Sequence, residues 1–394
     1  MKGRSTFVAS EKLIRPVMPE LDSLRGIAIL GVLFLHGFFW QYGGLHFTGW
    51  SHRLLLATEP GWLGVNLFFV LSGFLITGIL LNAKSKTDYY SRFYIRRALR
   101  ILPAYYSLLI LLALLHQASG RFLGLSFVYL SNLTNLFGVP ADYGPLWSLA
   151  VEEHYYIAWP AVVHKLNSRN LAITSVVIFV AIPLFRAVAF NYGYRAGLGW
   201  YTWFVADGLA MGSLLAVVLR TILDRKMVIR LCTTLLVLAF AMAGAGARFG
   251  ILTMNRILGA ALQYTVIHIF FAGVLVLFLL VGTSSRKGWV NIAALQFFGY
   301  ISYGLYLIHL LVFRIYDRVS RHFWPQLVPS DGHLMLVVFR FVVAGGLAVG
   351  FAYLSRRYFE DAFLKLKDRF THDDSPSFTP ETVPALPQLP NSGQ

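Results

Sequence analysis

The sequence predicts an all-α, polytopic integral membrane bundle of about ten transmembrane helices, with both termini cytoplasmic. Three observations carry that expectation. Hydrophobic residues make up 57% of the 394-residue chain and the mean hydropathy is +0.62, well beyond what a soluble domain needs to fill a core. Apolar runs long enough to cross a hydrocarbon layer of ~30 Å, which takes roughly 17 to 25 residues as helix, recur from one end of the chain to the other. The basic residues between those runs fall mostly on one side.

In order, the runs are 26–42, 62–81, 101–116, 146–163, 171–190, 203–220, 231–247, 257–281, 294–313 and 335–355. The stretch "FLGLSFVYLSNLTNLFG" (122–138) is apolar but interrupted by Asn and Gly, which fits a re-entrant or interfacial segment better than another crossing. Loops rich in Lys and Arg stay cytoplasmic. Of the 34 basic residues, 24 fall on the side of the termini and eight on the other, while Arg186 and Arg340 sit within spans. The expected organisation is a cytoplasmic segment at 1–20, a transmembrane domain at 21–365 and a tail at 366–394. That tail is rich in Pro and Ser and is expected to be disordered and cytoplasmic.

Several classes are excluded. The net charge of +16 flanks spans instead of forming a soluble basic module, so topology and anionic headgroups account for it and no nucleic acid partner is expected. A cleavable leader is not expected, because 25 residues containing acids precede the first span and no small-residue cleavage pattern follows it. The single Cys232 rules out an intramolecular disulfide and a CxxC metal site. No metal is predicted, and no repeated halves of the transporter kind are found.

An ionisable side chain in hydrocarbon costs at least ~2.5 kcal/mol, so those within spans point to function by default. In "LDSLRGIAILGVLFLH" (21–36), Arg25 and His36 are separated by about three helical turns and a rise of ~16 Å on one face. That puts a fixed cation at the cytoplasmic boundary and, near mid-membrane, a base with an ordinary pKa near 6.5. The pair suits a long substrate with an anionic head outside and a reactive end pushed inward, as acyl-coenzyme A has. Taken alone, the same two residues also fit a helix-helix hydrogen bond and ordinary juxtamembrane charge. In "SRFYIRRALRILPAYY", Arg97 and Arg100 share a face at a helix start and suit phosphate, or topology only. "LSGFL" (71–75) reads as close helix packing or backbone approach to a ligand.

The run "GPLWSLAVEEHYYIAWP" (144–160) places Glu152, Glu153 and His154 inside the fourth span. On a helix, Glu152, Tyr155, Tyr156 and Trp159 share a face, a carboxylate with phenol and indole donors of the kind that handles a sugar or alcohol. Asp207 is a further acid that either lines the same cavity or packs. Ser302, Tyr306 and His309 share a face and read as a structural hydrogen-bond network. His268 reads as packing.

With those pieces in order, the sequence resembles the membrane-bound acyltransferase family 3 over about residues 18–365. The carriers are "LDSLRGIAILGVLFLH", "GVNLFFVLSGFLIT", "RRALRILPAYY", "WSLAVEEHYY", "ADGLAMGSLLA", "ISYGLYLIH" and "RRYFEDAF". The resemblance implies an O-acyltransferase of the cell membrane that takes an acyl group, acetyl above all, from cytoplasmic acyl-coenzyme A to a hydroxyl of an extracytoplasmic or membrane-associated glycan or glycolipid. It implies Arg25 and His36 as the essential pair, Arg97 and Arg100 as coenzyme A contacts, and Glu152 in the acceptor-side motif. His154 stands where the family signature usually has Gln or Glu and takes no role. Some members continue into a C-terminal extracytoplasmic hydrolase-like domain. Here the expectation is that the membrane domain does the whole transfer or that a partner protein completes it. His36 then acts as general base or is itself acylated. The rival readings from other classes are a transporter or flippase of a lipid-linked or small polar substrate and a structural subunit of an envelope assembly.

Overall fold

The computed structural model describes residues 13–222 and 224–366. The expected disordered tail therefore lies outside the described residues apart from Leu366, as does most of the N-terminal segment. The described chain is helical throughout, without a strand.

Ten long helices coincide with the ten expected runs: α1 (Pro19–Tyr42), α2 (Gly49–Ala83), α3 (Tyr89–Leu114), α4 (Leu146–Lys165), α5 (Ser168–Asn191), α6 (Asp207–Thr221), α7 (Arg225–Phe249), α8 (Ile257–Gly282), α9 (Ala293–Phe323) and α10 (Leu334–Lys365). Eight of them are long and apolar enough to cross a membrane. The exceptions are α4, which carries Glu152 and Glu153, and α6, whose 15 residues span only ~22 Å at 1.5 Å per residue. The short helix Thr202–Val205 leads into α6. Segment 122–138 does not form a continuous crossing: a helix at Gly120–Phe127 and a 3-10 turn at Ser131–Phe137 are joined through Tyr129 at φ 58°.

Several helices outrun the hydropathy that marks them. α3 begins at Tyr89, twelve residues before its apolar run, and carries Arg96, Arg97 and Arg100 on its first turns. Hydropathy falls where charge begins, but the backbone still has N–H and C=O groups to satisfy, and nothing between Tyr89 and Pro103 breaks the helix.

Glycines set the closest contacts. A Cβ on Gly26 would stand 2.0 Å from the Leu295 carbonyl oxygen, and one on Gly299 equally close to that of Asp22, so α1 and α9 touch backbone to backbone. Further along, Gly37 meets the ring of Phe313, which shows that α1 and α9 run parallel. His36 lies ten residues beyond Gly26 and His309 ten beyond Gly299, so the same contact that joins the helices brings the two histidines level. α1 is not uniformly α-helical: Leu35–Phe39, the turn that carries His36, is a π-helix, a widening common at functional positions.

The buried core is shared among all ten helices. The outer faces of α3, α5 and α7 are apolar and uncovered, with Ile110, Leu114, Val177, Leu184, Val237 and Phe240 exposed. Such a perimeter suits lipid.

Candidate functional site

α1, α2, α3, α4 and α9 enclose a cavity of about 990 Å³, counting its open mouth. Arg25 comes from α1, Ser72 from α2, Arg97 and Arg100 from α3, Glu152, Glu153 and Tyr156 from α4, and Ser302, Tyr303 and Tyr306 from α9. Phe68, Phe69, Leu75 and Ile79 of α2 supply an apolar wall.

The carboxylate of Glu152 is held from two sides. Ser72 Oγ donates to Oε1 at 3.0 Å and Tyr156 Oη donates to Oε2 at 2.6 Å. Ser72 reaches it because the neighbouring Gly73 packs the other way, its Cβ position 2.0 Å from the Leu209 carbonyl oxygen of α6. The guanidinium of Arg97 lies over the ring of Tyr156, 3.0 Å from its centroid, and stands 3.9 Å from Glu152 Oε2 and 3.8 Å from Glu153 Oε1. Those distances are too long for hydrogen bonds, and the buried Arg97 Nε has no hydrogen-bond partner. A buried donor left unmet costs about 1 to 3 kcal/mol, so the site holds unused capacity for an anion. Arg25 is fixed by Asp22 at 2.9 Å.

His36 is not among the residues lining this cavity. It belongs to a second cluster behind Tyr306, whose hydroxyl meets Ser148 Oγ at 2.6 Å and whose ring centroid lies 6.0 Å from that of His309. His309 Nε2 is 3.2 Å from His36 Nδ1. Arg340 of α10, held by Asp317 through Nε at 2.6 Å and Nη2 at 2.8 Å, donates Nη1 to the Gly37 carbonyl at 3.2 Å and so braces the π-turn beside His36.

The structure thus gathers Arg25, Arg97, Arg100, Glu152 and Tyr156 around one cavity and sets His36 just past its end. Three expected site residues stand elsewhere. Tyr155 hydrogen-bonds Ser213, and Trp159 donates its indole N–H to Thr77 at 2.8 Å, a buried network between α2, α4 and α6. Asp207 is fully buried against Arg186, with Nη1 to Oδ1 at 3.2 Å and Nη2 to Oδ2 at 2.9 Å, and His268 Nδ1 is 3.4 Å from it. These three side chains face neighbouring helices and not the cavity: a four-residue spacing gives a common side, but side chains on one side of a helix still divide between two neighbours. His154 bonds Thr202 at 2.7 Å. Ser302, Tyr306 and His309, expected to be structural, divide between the cavity and the histidine pair. The Arg340–Asp317 brace escaped the sequence reading; Arg340 within a span was the one available signal.

The family model for an acyltransferase domain matches residues 18–357. The chain is similar to peptidoglycan O-acetyltransferase OatA of Listeria monocytogenes, 33% identical over 168 residues that cover 37% of this chain and 24% of that protein. It is similar to the putative peptidoglycan O-acetyltransferase YrhL of Bacillus subtilis, 32% over 207 residues, covering 46% and 29%, and to O-acetyltransferase OatA of Staphylococcus aureus, 27% over 258 residues, covering 57% and 40%. In each case the match spans less than half of the relative's length. No solved structure matches the chain. The family match runs from the residue before α1 into α10 and includes every residue of the cavity and of the histidine cluster: the chain belongs to this family of acyltransferase domains, the one its motifs resemble.

Proposed function

We propose that the chain is a membrane O-acetyltransferase that takes an acetyl group from acetyl-coenzyme A on the cytoplasmic side to a hydroxyl of an extracytoplasmic glycan, peptidoglycan being the acceptor class that the names of the relatives suggest. The observation that carries this reading is the division of the site. A cavity with three arginines and an unmet buried N–H suits a phosphate-rich donor, and an imidazole pair lies just beyond its far end.

In this reading Arg25, Arg97 and Arg100 hold the phosphates of coenzyme A, and the pantetheine arm lies along the apolar wall of α2. The thioester passes Tyr306 to reach His36. Imidazole Nε2 removes the acceptor hydroxyl proton as its oxygen bonds the acetyl carbon; the carbon-sulfur bond breaks, and the proton goes on to the departing thiolate. General-base help of this kind is worth typically 10²–10⁴ in rate. Glu152, tied to Ser72 and Tyr156, faces the Arg97 guanidinium and gives it a fixed neighbouring carboxylate. The bundle stands with both termini in the cytoplasm of a multi-pass cell-membrane protein, an orientation supported by the 24-to-8 bias of basic residues and by Arg25 lying at the N-terminal end of α1.

The test is acetyl transfer by purified protein in nanodiscs, with acetyl-coenzyme A and an N-acetylglucosamine oligosaccharide, read as free coenzyme A and as acetylated sugar by mass spectrometry. His36→Ala is expected to accumulate normally and to be inactive. An active His36→Ala protein would overturn the assignment. Movement of glycolipid without release of coenzyme A would favour a flippase instead.

A further inference from the structure

The two imidazoles where α1 and α9 run side by side determine each other's hydrogens. His309 Nδ1 is 2.9 Å from the carbonyl oxygen of Leu305, one turn back on its own helix. A carbonyl only accepts, so Nδ1 carries the hydrogen, and in a neutral ring Nε2 is left with a lone pair. That Nε2 faces His36 Nδ1 at 3.2 Å, and His36 Nδ1 is also 3.0 Å from the Val32 carbonyl oxygen. Both neighbours of His36 Nδ1 are acceptors. Its hydrogen therefore sits on Nδ1, shared between them, and the lone pair sits on Nε2. The tautomers follow from the acceptors around each ring.

We propose that His309 is a positioning residue for His36: its Nε2 lone pair joins the Val32 carbonyl in holding the Nδ1–H tautomer, and from α9 it fixes the ring orientation that makes His36 Nε2 the base. This rests on the reading of His36 as the base. In the serine hydrolase triad a carboxylate does the same for its histidine. Here the orienting group is neutral, which suits a fully buried position (His309 is 0% exposed), where a second anion would be costly.

Three substitutions separate positioning from support. Asn at 309 keeps a donor near the Nδ1 position, and with it the bond to Leu305, but offers nothing at the Nε2 position. Gln places its amide oxygen near the Nε2 position and restores the acceptor. Phe fills the space and offers neither. In the acetyl-coenzyme A assay, His309→Asn and His309→Phe are expected to lower kcat about 10- to 100-fold, by analogy with the partners that orient metal-ligating histidines, with KM for acetyl-coenzyme A unchanged. His309→Gln is expected to recover to within about threefold of wild type. An Asn variant as active as Gln, or a flat series, overturns the proposal. A role in packing alone would rank Phe or Asn by folded yield and leave kcat per folded molecule level.

A second measurement uses the unaltered site. In protein labelled with 13C,15N-histidine, the His36 signal, identified by its loss in His36→Gln, is expected to report the neutral Nδ1–H form, and an Nε2–H form overturns the proposal whatever the variants do. The two readings fail separately. An active His36→Gln enzyme removes the base itself, whereas an inactive one beside a flat His309 series removes only the positioning role.

Discussion

Arg97→Ala isolates the donor site. In the structure the guanidinium is stacked on Tyr156, stands beyond hydrogen-bond range of both glutamates, and keeps a buried Nε without a partner. A phosphate oxygen that takes up such a donor forms a charge-assisted bond worth about 1.5 to 3 kcal/mol. Losing it weakens binding roughly ten- to hundredfold. The same substitution uncovers Glu152 and Glu153 to the incoming anion and adds repulsion in the same direction, so Arg97→Ala/Glu153→Gln should bind better than Arg97→Ala alone. Lysine keeps the charge but not the flat stack or the fork, and Arg97→Lys is expected to fall between. The assay is calorimetric titration of coenzyme A into nanodisc-held protein, with acetyl transfer measured alongside: apparent donor KM should rise far more than kcat falls. Arg100→Ala should behave alike. Unchanged coenzyme A affinity in both arginine variants would refute the reasoning, and these residues would then serve topology alone.

Other outcomes follow from the same geometry. Glu152→Gln leaves Tyr156 and Ser72 with an amide that can accept through only one atom, so most acetyl transfer should be lost in a protein that still elutes as a single folded species; a near-normal rate would make the carboxylate structural. Arg186→Leu strands a fully buried Asp207, a loss on the order of 3 kcal/mol or more, to be seen as a lowered midpoint of thermal aggregation in detergent, and Arg186→Leu/Asp207→Leu should regain much of it. A substrate-binding Asp207 would show the opposite pattern, with stability kept and KM raised. For orientation, Cys232→Ser keeps the donor to the Gly273 carbonyl and gives a cysteine-free background. In intact cells, cysteines at Ser85 and Ser284 should be protected from an impermeant thiol reagent while one at Ser51 reacts, and the reverse pattern would invert donor and acceptor sides.

The ten helices were legible because hydrophobic length is a direct consequence of bilayer thickness, and the arginines of the cavity stood out because charge at the edge of an apolar run breaks the hydropathy that marks it. What sequence alone left open was which neighbour each polar side chain meets. Tyr155 and Tyr156 are adjacent, yet one bonds Ser213 and the other Glu152. Asp207 and Arg186 are paired acid and base from consecutive spans, but only packing of α5 on α6 shows it. The π-turn at Leu35–Phe39 has no marker in "LHGFF" beyond Gly37, where a Cβ would meet the ring of Phe341 at 2.4 Å.

The buried charges themselves sort into two kinds. Arg186–Asp207 and Arg340–Asp317 are bidentate, closed at 2.6 to 3.2 Å and nearly or wholly excluded from solvent. In both pairs the arginine donors left over are spent on backbone carbonyls, and for Arg186 on Thr265 as well. Such pairs offset their own desolvation and hold helices in register. Arg97 with Glu152 and Glu153 is different: its partners stand at 3.8 to 3.9 Å, an N–H is unmet, and the cavity opens beside it. A pair left open beside a cavity carries part of its desolvation cost without the full attraction. In the proposed reading the open pair is where the donor's phosphate charge belongs, and the closed pair at Arg340, which reaches the Gly37 carbonyl, braces the turn that carries His36.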